Sequence, residues 1–162
     1  MGVPFVRSRA IANMRIERES SDNDSRFSSI DEAQRFADEL EVSEVQYRSL
    51  FVDNPQAMYV YDPQTLRFLA VNAAGLGQYG YTEEEFGRMT TEELRPPEDR
   101  AAWREMLFSR PLQGQRRHTG RHLRKDGQLL WVQIVANDIL FEGRPARVVI
   151  AFDITEQRRA QE

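Results

Sequence analysis

The C-terminal part of the chain most constrains its fold, because it reads as three consecutive strands joined by tight turns. Alternating apolar residues in Gln128–Phe141 predict a long strand with one face toward a core. The turns on either side, Asp126-Gly127 and Glu142-Gly143, are typical of hairpins. We therefore predict three antiparallel strands, over Gln115–Arg124, Gln128–Phe141 and Arg147–Ile154.

The last of these strands leads straight into the start of a helix. Asp153 and Glu156 have the spacing of a capping box, in which the Asp side chain accepts from a first-turn N–H and the Glu side chain reaches back. A strand that hands over directly to a helix can transmit a push or a twist. We predict that residues 156–162 begin an output helix, and that a signal-relay joint is formed by Asp153, Ile154, Thr155 and Glu156.

The N-terminal residues are predicted as a tail followed by a helix. Residues 1–28 include a polar, turn-prone stretch, which predicts a disordered or loosely ordered segment. Residues 29–52 read as an amphipathic helix, with Phe36, Leu40 and Tyr47 at near-helical intervals. Its apolar stripe extends beyond what one sheet covers, so we expect it to pair two copies of the chain.

The middle of the chain is predicted as two strands followed by short helices. Ala57–Tyr61 and Leu66–Asn72 have the spacing of a hairpin. Helical pieces follow over Ala73–Tyr79, after a capping box that starts at Thr82, and over Glu98–Phe108. Two strands, several helices and three strands predict an α+β fold, in which a five-stranded antiparallel sheet carries short helices on one face.

Composition excludes several classes of function. The chain has no cysteine, which excludes disulfides, thiolate metal sites and a cysteine nucleophile and fits a reducing cytoplasm. Its net charge of −4 disfavours nucleic acid, and the basic run Arg116–Lys125 contains no aromatic residue and reads as the polar face of a strand. No apolar run approaches the roughly 18 residues of a membrane span.

The sequence also lacks a catalytic set of residues. The paired carboxylates Glu83-Glu84-Glu85 and Glu92-Glu93 lie at predicted helix N-termini, where the helix dipole alone explains them. No glycine-rich loop follows a strand in a phosphate-binding pattern. We therefore expect no enzymatic activity from this part of the protein.

Several short motifs follow one another in a characteristic order and spacing. They are Leu50-Phe51 before Asn54-Pro55, Asn72, Tyr79-Gly80-Tyr81-Thr82-Glu83-Glu84-Glu85-Phe86, Pro97-Glu98-Asp99-Arg100, Arg124-Lys125-Asp126-Gly127 before Trp131-Val132, and Asp153-Ile154-Thr155-Glu156. Together these motifs resemble a PAS domain with its C-terminal extension, a sensor module common in bacterial signalling proteins. The resemblance implies a sensor domain over residues 53–155, a pocket between sheet and helices, dimerisation through the preceding helix and an output domain after the joint.

The family uses many cofactors, and the residues present restrict them. Light-oxygen-voltage members need a cysteine for their flavin chemistry, and members of the photoactive-yellow-protein kind need one to link their chromophore, so both chemistries are excluded. Haem-binding members typically present a histidine from a helix. Here His118 and His122 lie on a predicted strand among arginines, so we interpret them as solvated side chains, expect no metal site and disfavour haem.

The predicted pocket is lined by the alternate, apolar residues on one face of the long strand and by apolar residues of the neighbouring strands and helices. Its ligand, where one binds, would be a small apolar or aromatic molecule. The alternative is that the same residues simply form a core. The lining is predicted from Met58, Val60, Leu76, Phe86, Met89, Leu94, Trp103, Leu107, Val132, Ile134, Val149 and Ala151.

These features predict a sensory domain that relays a signal through a homodimer to an output domain. The output would be a histidine kinase or an enzyme that makes or hydrolyses a cyclic dinucleotide. The first alternative is a ligand-free interaction or dimerisation module, and the second is a flavin- or haem-binding sensor. The dimer interface is predicted from Phe36, Leu40, Tyr47, Trp131 and Val135.

Overall fold

The computed structural model describes residues 15–16, 46, 48–109 and 114–162, and these form an α+β fold around one antiparallel sheet. The predicted fold class is therefore confirmed. The strands are β1 (Arg15–Ile16), β2 (Ala57–Tyr61), β3 (Phe68–Val71), β4 (Arg116–Leu123), β5 (Leu129–Phe141) and β6 (Arg144–Asp153).

The α-helices named below lie between β3 and β4 and after β6. Thr82 and Glu85 form the predicted capping box, with the Glu85 N–H donating to Thr82 Oγ1 over 3.2 Å. The α-helices are α1 (Ala73–Tyr79), α2 (Glu83–Gly87), α3 (Pro97–Ser109) and α4 (Thr155–Ala160), with a 3₁₀ turn at Thr91–Leu94. Among the described residues, no helix is long and apolar enough to cross a membrane.

The five predicted strands are neighbours in the order β4-β5-β6-β2-β3, and every pairing is antiparallel. Hairpins join β4 to β5 and β5 to β6 through turns in which Gly127 and Gly143 have positive φ, a conformation that glycine adopts without strain. Because β6 pairs with β2, the two ends of the domain meet at the centre of the sheet.

Residues 15–16 correct part of the predicted N-terminal tail. They form β1, which pairs with Leu140 and Ile139 at the end of β5 and adds a sixth, very short strand to the sheet. The polar sequence around them does not predict this pairing, because a strand of two residues can pair through its backbone alone and needs no apolar pattern. The other residues of 1–28 lie outside the described part of the chain.

The predicted helix over 29–52 falls mostly outside the described residues, including Phe36, Leu40 and Tyr47. Its last turn is described as a π-helical segment at Arg48–Val52. Phe51 in this segment is buried, and its neighbour Leu50 is 58 % exposed. The segment therefore places one apolar side chain on the sheet and leaves the next one in solvent.

Two apolar clusters pack on opposite faces of the sheet. The larger lies between the sheet and helices α1–α3, and β5 contributes Leu130, Val132, Ile134 and Ala136 to it. The smaller lies on the other face under Phe51. Its remaining buried members are Met58, Val60, Ala70, Ile139, Phe141 and Ala146.

Helix α1 packs closely on the sheet because Gly75 has no side chain. A Cβ atom at this position would lie 2.7 Å from Cγ2 of Val71. The helix continues through Gly75 and Gly77. It ends at Gly80, which forms the C-cap with a positive φ of 81°.

The buried Asn72 side chain connects three parts of the fold. Its Oδ1 accepts from the N–H groups of Gly75 (2.8 Å) and Met58 (2.9 Å). Its Nδ2 donates to the carbonyl oxygens of Phe51 (2.8 Å) and Gln56 (2.9 Å). One amide thereby caps α1, fixes the start of β2 and holds the N-terminal segment against the sheet.

We expect Asn72→Ala to lower the free energy of unfolding by about 3 kcal/mol, because it removes a helix cap and leaves buried backbone groups without partners. Urea titration of the 162-residue chain measures this loss. Asn137→Ala is the matched control, since the exposed Asn137 only accepts from the N–H of Asp138. A loss at Asn72 no larger than that of the control would contradict the role of this amide.

Candidate functional site

The candidate site is a small cavity between the sheet and helix α3. The space open to a water-sized sphere is about 30 Å³. Met106 on its wall is 41 % exposed, so the cavity reaches the surface beside this residue. The lining residues are Tyr59, Tyr61, Thr91, Arg95, Trp103, Met106, Leu107, Arg116, His118, Ile134, Ala136, Arg147 and Val149.

The predicted lining is divided by the structure into three groups. Trp103, Leu107, Ile134 and Val149 line the cavity. A second group packs in the same core but does not border the cavity: Leu76, Phe86, Met89, Leu94, Val132 and Ala151. Rings crowd this second group, since Phe86 makes edge contacts with Phe68 and Tyr79 at centroid distances of 5.0 and 6.2 Å.

The prediction that Met58 and Val60 face the pocket was wrong. Met58 pairs with Ile150 and Val60 with Val148, so both belong to the cluster on the opposite face. All five residues of β2 are buried, so alternation does not distinguish its two faces. The side chains that reach the cavity from this strand are Tyr59 and Tyr61.

The cavity is also more polar than the predicted apolar lining. Arg95 is only 6 % exposed and places its guanidinium carbon 4.3 Å from the centre of the Trp103 ring. Arg147 is 1 % exposed, and its Nη1 donates to Asp138 Oδ1 (2.8 Å) and to the carbonyl of Gly114 (2.7 Å). Sequence reasoning missed both arginines, although a charge within the apolar run of β6 was a usable signal.

Burial sets the protonation of the polar lining. It lowers the pKa of the Arg95 guanidinium and raises the pKa values of the Tyr59 and Tyr61 hydroxyls. Burial, with Arg95 and Arg116 close by, lowers the pKa of His118 to about 4. At neutral pH the tyrosines and His118 are therefore uncharged, and the positive charge of the cavity belongs to its arginines.

The interpretation of both histidines as solvated was wrong for His122 and only partly right for His118, which is half-buried on the cavity wall. His122 is fully buried, and its Nδ1 shares a 2.6 Å hydrogen bond with the hydroxyl of Tyr79. Burial holds the pKa of His122 well below its usual range, with Arg95 and His118 acting in the same direction. The helices, and not the strand itself, bury these side chains, so strand composition could not reveal it. Among the described residues, no group of three His, Asp or Glu side chains could hold a metal ion.

The predicted relay joint differs from the expected capping box. The N–H of Thr155 donates to Asp153 Oδ1 over 2.9 Å, and the Thr155 hydroxyl donates to the same oxygen over 2.6 Å. Glu156 is exposed, and no bond from it to the N–H of Asp153 is found in the described part of the chain. The N-cap position of α4 is Ile154, so Asp153 lies one residue too early for a capping box.

The predicted dimer residues of β5 lie on the outer face of the sheet. Trp131 is half-buried, and the guanidinium carbon of Arg158 from α4 lies 3.9 Å from the centre of its ring. Val135 is half-buried on the same face. Part of the surface assigned to a partner is thus covered by this chain's own C-terminal helix.

No protein-family model matches the chain. A curated relative, the methyl sulfide methyltransferase-associated sensor of Methanosarcina acetivorans, is 28 % identical over 125 residues. That match covers 77 % of this chain and 12 % of the relative. The chain thus spans about an eighth of the length of this sensor.

Solved structures share the fold at low sequence identity. The PAS domain of an HTR-like protein from Haloarcula marismortui has a TM-score of 0.61 and 23 % identity, covering 75 % of this chain and 99 % of its own. A PAS domain from a two-component sensor histidine kinase gives 0.56 and 19 %, covering 72 % and 98 %. The Rhodobacter sphaeroides LOV protein gives 0.58 and 15 %, covering 70 % and 67 %.

We expect the free energy of unfolding to fall as the pH drops from about 6.5 toward 4. Both histidines bind protons less tightly in the folded than in the unfolded chain, so stability is present above the unfolded pKa and is lost below it. Each contributes a slope of up to about 1.4 kcal/mol per pH unit.

Urea titrations between pH 7.5 and 5 measure this slope. His118→Gln should remove about half of it, because the chain has only two histidines. An unchanged slope in this variant would show that His118 is solvated.

Proposed function

We propose that this chain, which has the fold of PAS domains, is a non-catalytic sensory domain that relays a signal through a dimer to a C-terminal output domain. The observation that carries the proposal is the joint between β6 and α4. The likeness to a curated sensor and to a histidine-kinase PAS domain supports a sensory role. The output would be a histidine kinase or a cyclic-dinucleotide synthase or hydrolase.

The joint is held by two strands at once. Asp153 at the end of β6 accepts from the backbone and side chain of Thr155. Thr155 Oγ1 accepts from the N–H of Trp131 in β5 over 3.0 Å, and the N–H of Ile154 donates to the carbonyl of Trp131 over 2.8 Å. A shift between β5 and β6 would therefore redirect the first turn of α4.

We expect the double substitution Asp153→Ala and Thr155→Ala to uncouple the output while leaving the domain folded. The bonds removed at the partly buried joint amount to roughly 1–2 kcal/mol of stability. Residues 1–162, fused through α4 to a histidine-kinase core, give autophosphorylation as the readout. Thr119→Ala with Asp126→Asn is the control, since both positions are exposed and neither side chain bonds to the joint among the described residues. Regulation retained by the joint variant would exclude this relay.

The dimer is the second part of the proposal. Leu50 is 58 % exposed beside the buried Phe51, at the end of the predicted amphipathic helix. Half-buried Val135 and Trp131 lie on the same side of the sheet as Phe51. An apolar helix end next to an apolar sheet face favours a twofold pairing of this side.

We expect Leu50→Asp to raise the dimer dissociation constant by about tenfold or more, because it places a charge in an apolar contact. Analytical ultracentrifugation at tens of micromolar measures the association. Phe108→Asp is the matched control, since Phe108 is 67 % exposed on helix α3. A wild-type chain that sediments as a monomer at this concentration would contradict the proposed dimer.

The size of the cavity favours a ligand-free interaction module as the second candidate function. Pockets for drug-sized ligands typically have about 300 Å³ or more, whereas this cavity offers about 30 Å³. A flavin or haem would thus need a rearranged core, and an absorption spectrum of the purified chain tests for either. Native mass spectrometry distinguishes a bare dimer from one that carries a bound mass.

A further inference from the structure

The cavity concentrates positive charge. Three arginines and one histidine line it, and none of its described lining residues is acidic. The arginines reach it from different elements: Arg95 follows the 3₁₀ turn, Arg116 begins β4 and Arg147 lies in β6. Charges that converge from three elements in a partly enclosed space act on whatever enters it, because little water screens them.

Two carboxylates that act on these arginines, Asp138 and Asp99, are already paired. Oδ1 of Asp138 lies 2.8 Å from Nη1 of Arg147, and Oδ1 of Asp99 lies 2.7 Å from Nη2 of Arg121. Within the described part of the chain, Arg95 has no ion pair, although it is 6 % exposed. Tyr59 and Tyr61 supply no counter-charge, since burial raises the pKa of both hydroxyls. Burying a guanidinium without a counter-ion costs free energy. An anion that pairs with it would recover part of that cost as binding free energy.

Unpaired polar atoms lie at the same place. Nε of Arg95, Nε of Arg147, Oγ1 of Thr91 and Nε2 of His118 have no hydrogen-bond partner among the described residues. All four belong to residues of the cavity wall. Buried polar groups are rarely left unpaired, and most of these atoms are donors. The set therefore matches a ligand rich in acceptor atoms.

The volume restricts that ligand to a few atoms. About 30 Å³ of accessible space corresponds to roughly two water molecules. A planar oxyanion with two or three oxygens fits this space, and its oxygens match the fork of N–H donors on a guanidinium. Larger carboxylic acids and phosphate esters do not fit without moving helix α3.

We propose that this cavity binds a compact planar oxyanion of the carboxylate, bicarbonate or nitrate class, with Arg95 as the principal anchor and Thr91 as a hydrogen-bond donor. As a signal for the domain, this anion rests on the proposed sensory function. The walls of the cavity include Ile134 of β5 and Val149 of β6, the two strands that hold the joint with α4. Binding itself requires no output domain.

Binding is tested on the 162-residue chain by calorimetry and by thermal unfolding. Sodium formate and sodium nitrate should give a saturable heat of binding, and at constant ionic strength they should raise Tm progressively with concentration. Sodium chloride and formamide, the uncharged analogue of formate, should not. An equal effect of sodium chloride would show that the ligand need not be planar, and an equal effect of formamide would show that it need not be charged. Either result would overturn the proposal.

Two variants locate the site. Arg95→Gln should weaken formate binding about tenfold or more, while Arg117→Gln, which removes an exposed charge from the same strand as His118, should not. Thr91→Val should weaken binding severalfold and still fold, because it replaces an unpaired hydroxyl by a methyl of the same shape. Formate affinity unchanged in Thr91→Val and in any folded Arg95→Gln would overturn the proposal.

The kinase fusion separates this proposal from the sensory function. Formate that binds the chain but leaves autophosphorylation unchanged would contradict the anion as a signal and leave the site intact. No binding at all would remove the anion site, while the effect of the joint variant on autophosphorylation still decides the relay.

Discussion

The hydrogen bonds of the Asn72 side-chain amide hold three parts of the fold in place. It sits where β3 ends and α1 begins, and its four short hydrogen bonds reach Phe51, Gln56, Met58 and Gly75. The same side chain thus sets where the N-terminal segment lies and where α1 starts. Each bond alone contributes about 1 kcal/mol, and together they fix how α1, the start of β2 and the N-terminal segment meet.

The second constraint is the burial of charge. A core that consisted only of apolar side chains would be easier to stabilise than one that contains Arg95 and Arg147. Asp138 offsets the cost of Arg147, whereas the Arg95 guanidinium lies over the ring of Trp103 and has no ion pair among the described residues. An anionic ligand would stabilise the protein most where a buried charge has no counter-ion from the chain. This is the physical basis of the proposed anion site.

Sequence reasoning succeeded where a local pattern determines the structure. Hairpin turns, the capping box at Thr82 and the alternation in β5 are local features, and the predicted strands lie within a few residues of the observed ones. It failed where contacts with a distant part of the chain determine on which face a side chain lies or how deeply it is buried. The face of Met58 depends on its register with Ile150, and the burial of His122 depends on Tyr79 of α1.

The charges of the cavity were missed for the same reason. The fragment that contains Arg116 and His118 reads as a solvated strand face, and only the packing of α3 and the 3₁₀ turn over β4 and β5 reveals that part of it is enclosed. The composition of one strand does not show which of its neighbours covers it. An apolar pocket was therefore predicted where the wall also carries three arginines.

In the proposed relay, Trp131 would make the path from the cavity to helix α4 very short. Its N–H and carbonyl hold Thr155 and Ile154, and its ring carries Arg158, so three points of the outgoing helix rest on one residue. Ile134 of the cavity wall lies three residues further along the same strand, about 10 Å away. If the proposed relay operates, a tilt of β5 at the cavity would rotate helix α4 directly, without a series of rearrangements across the core.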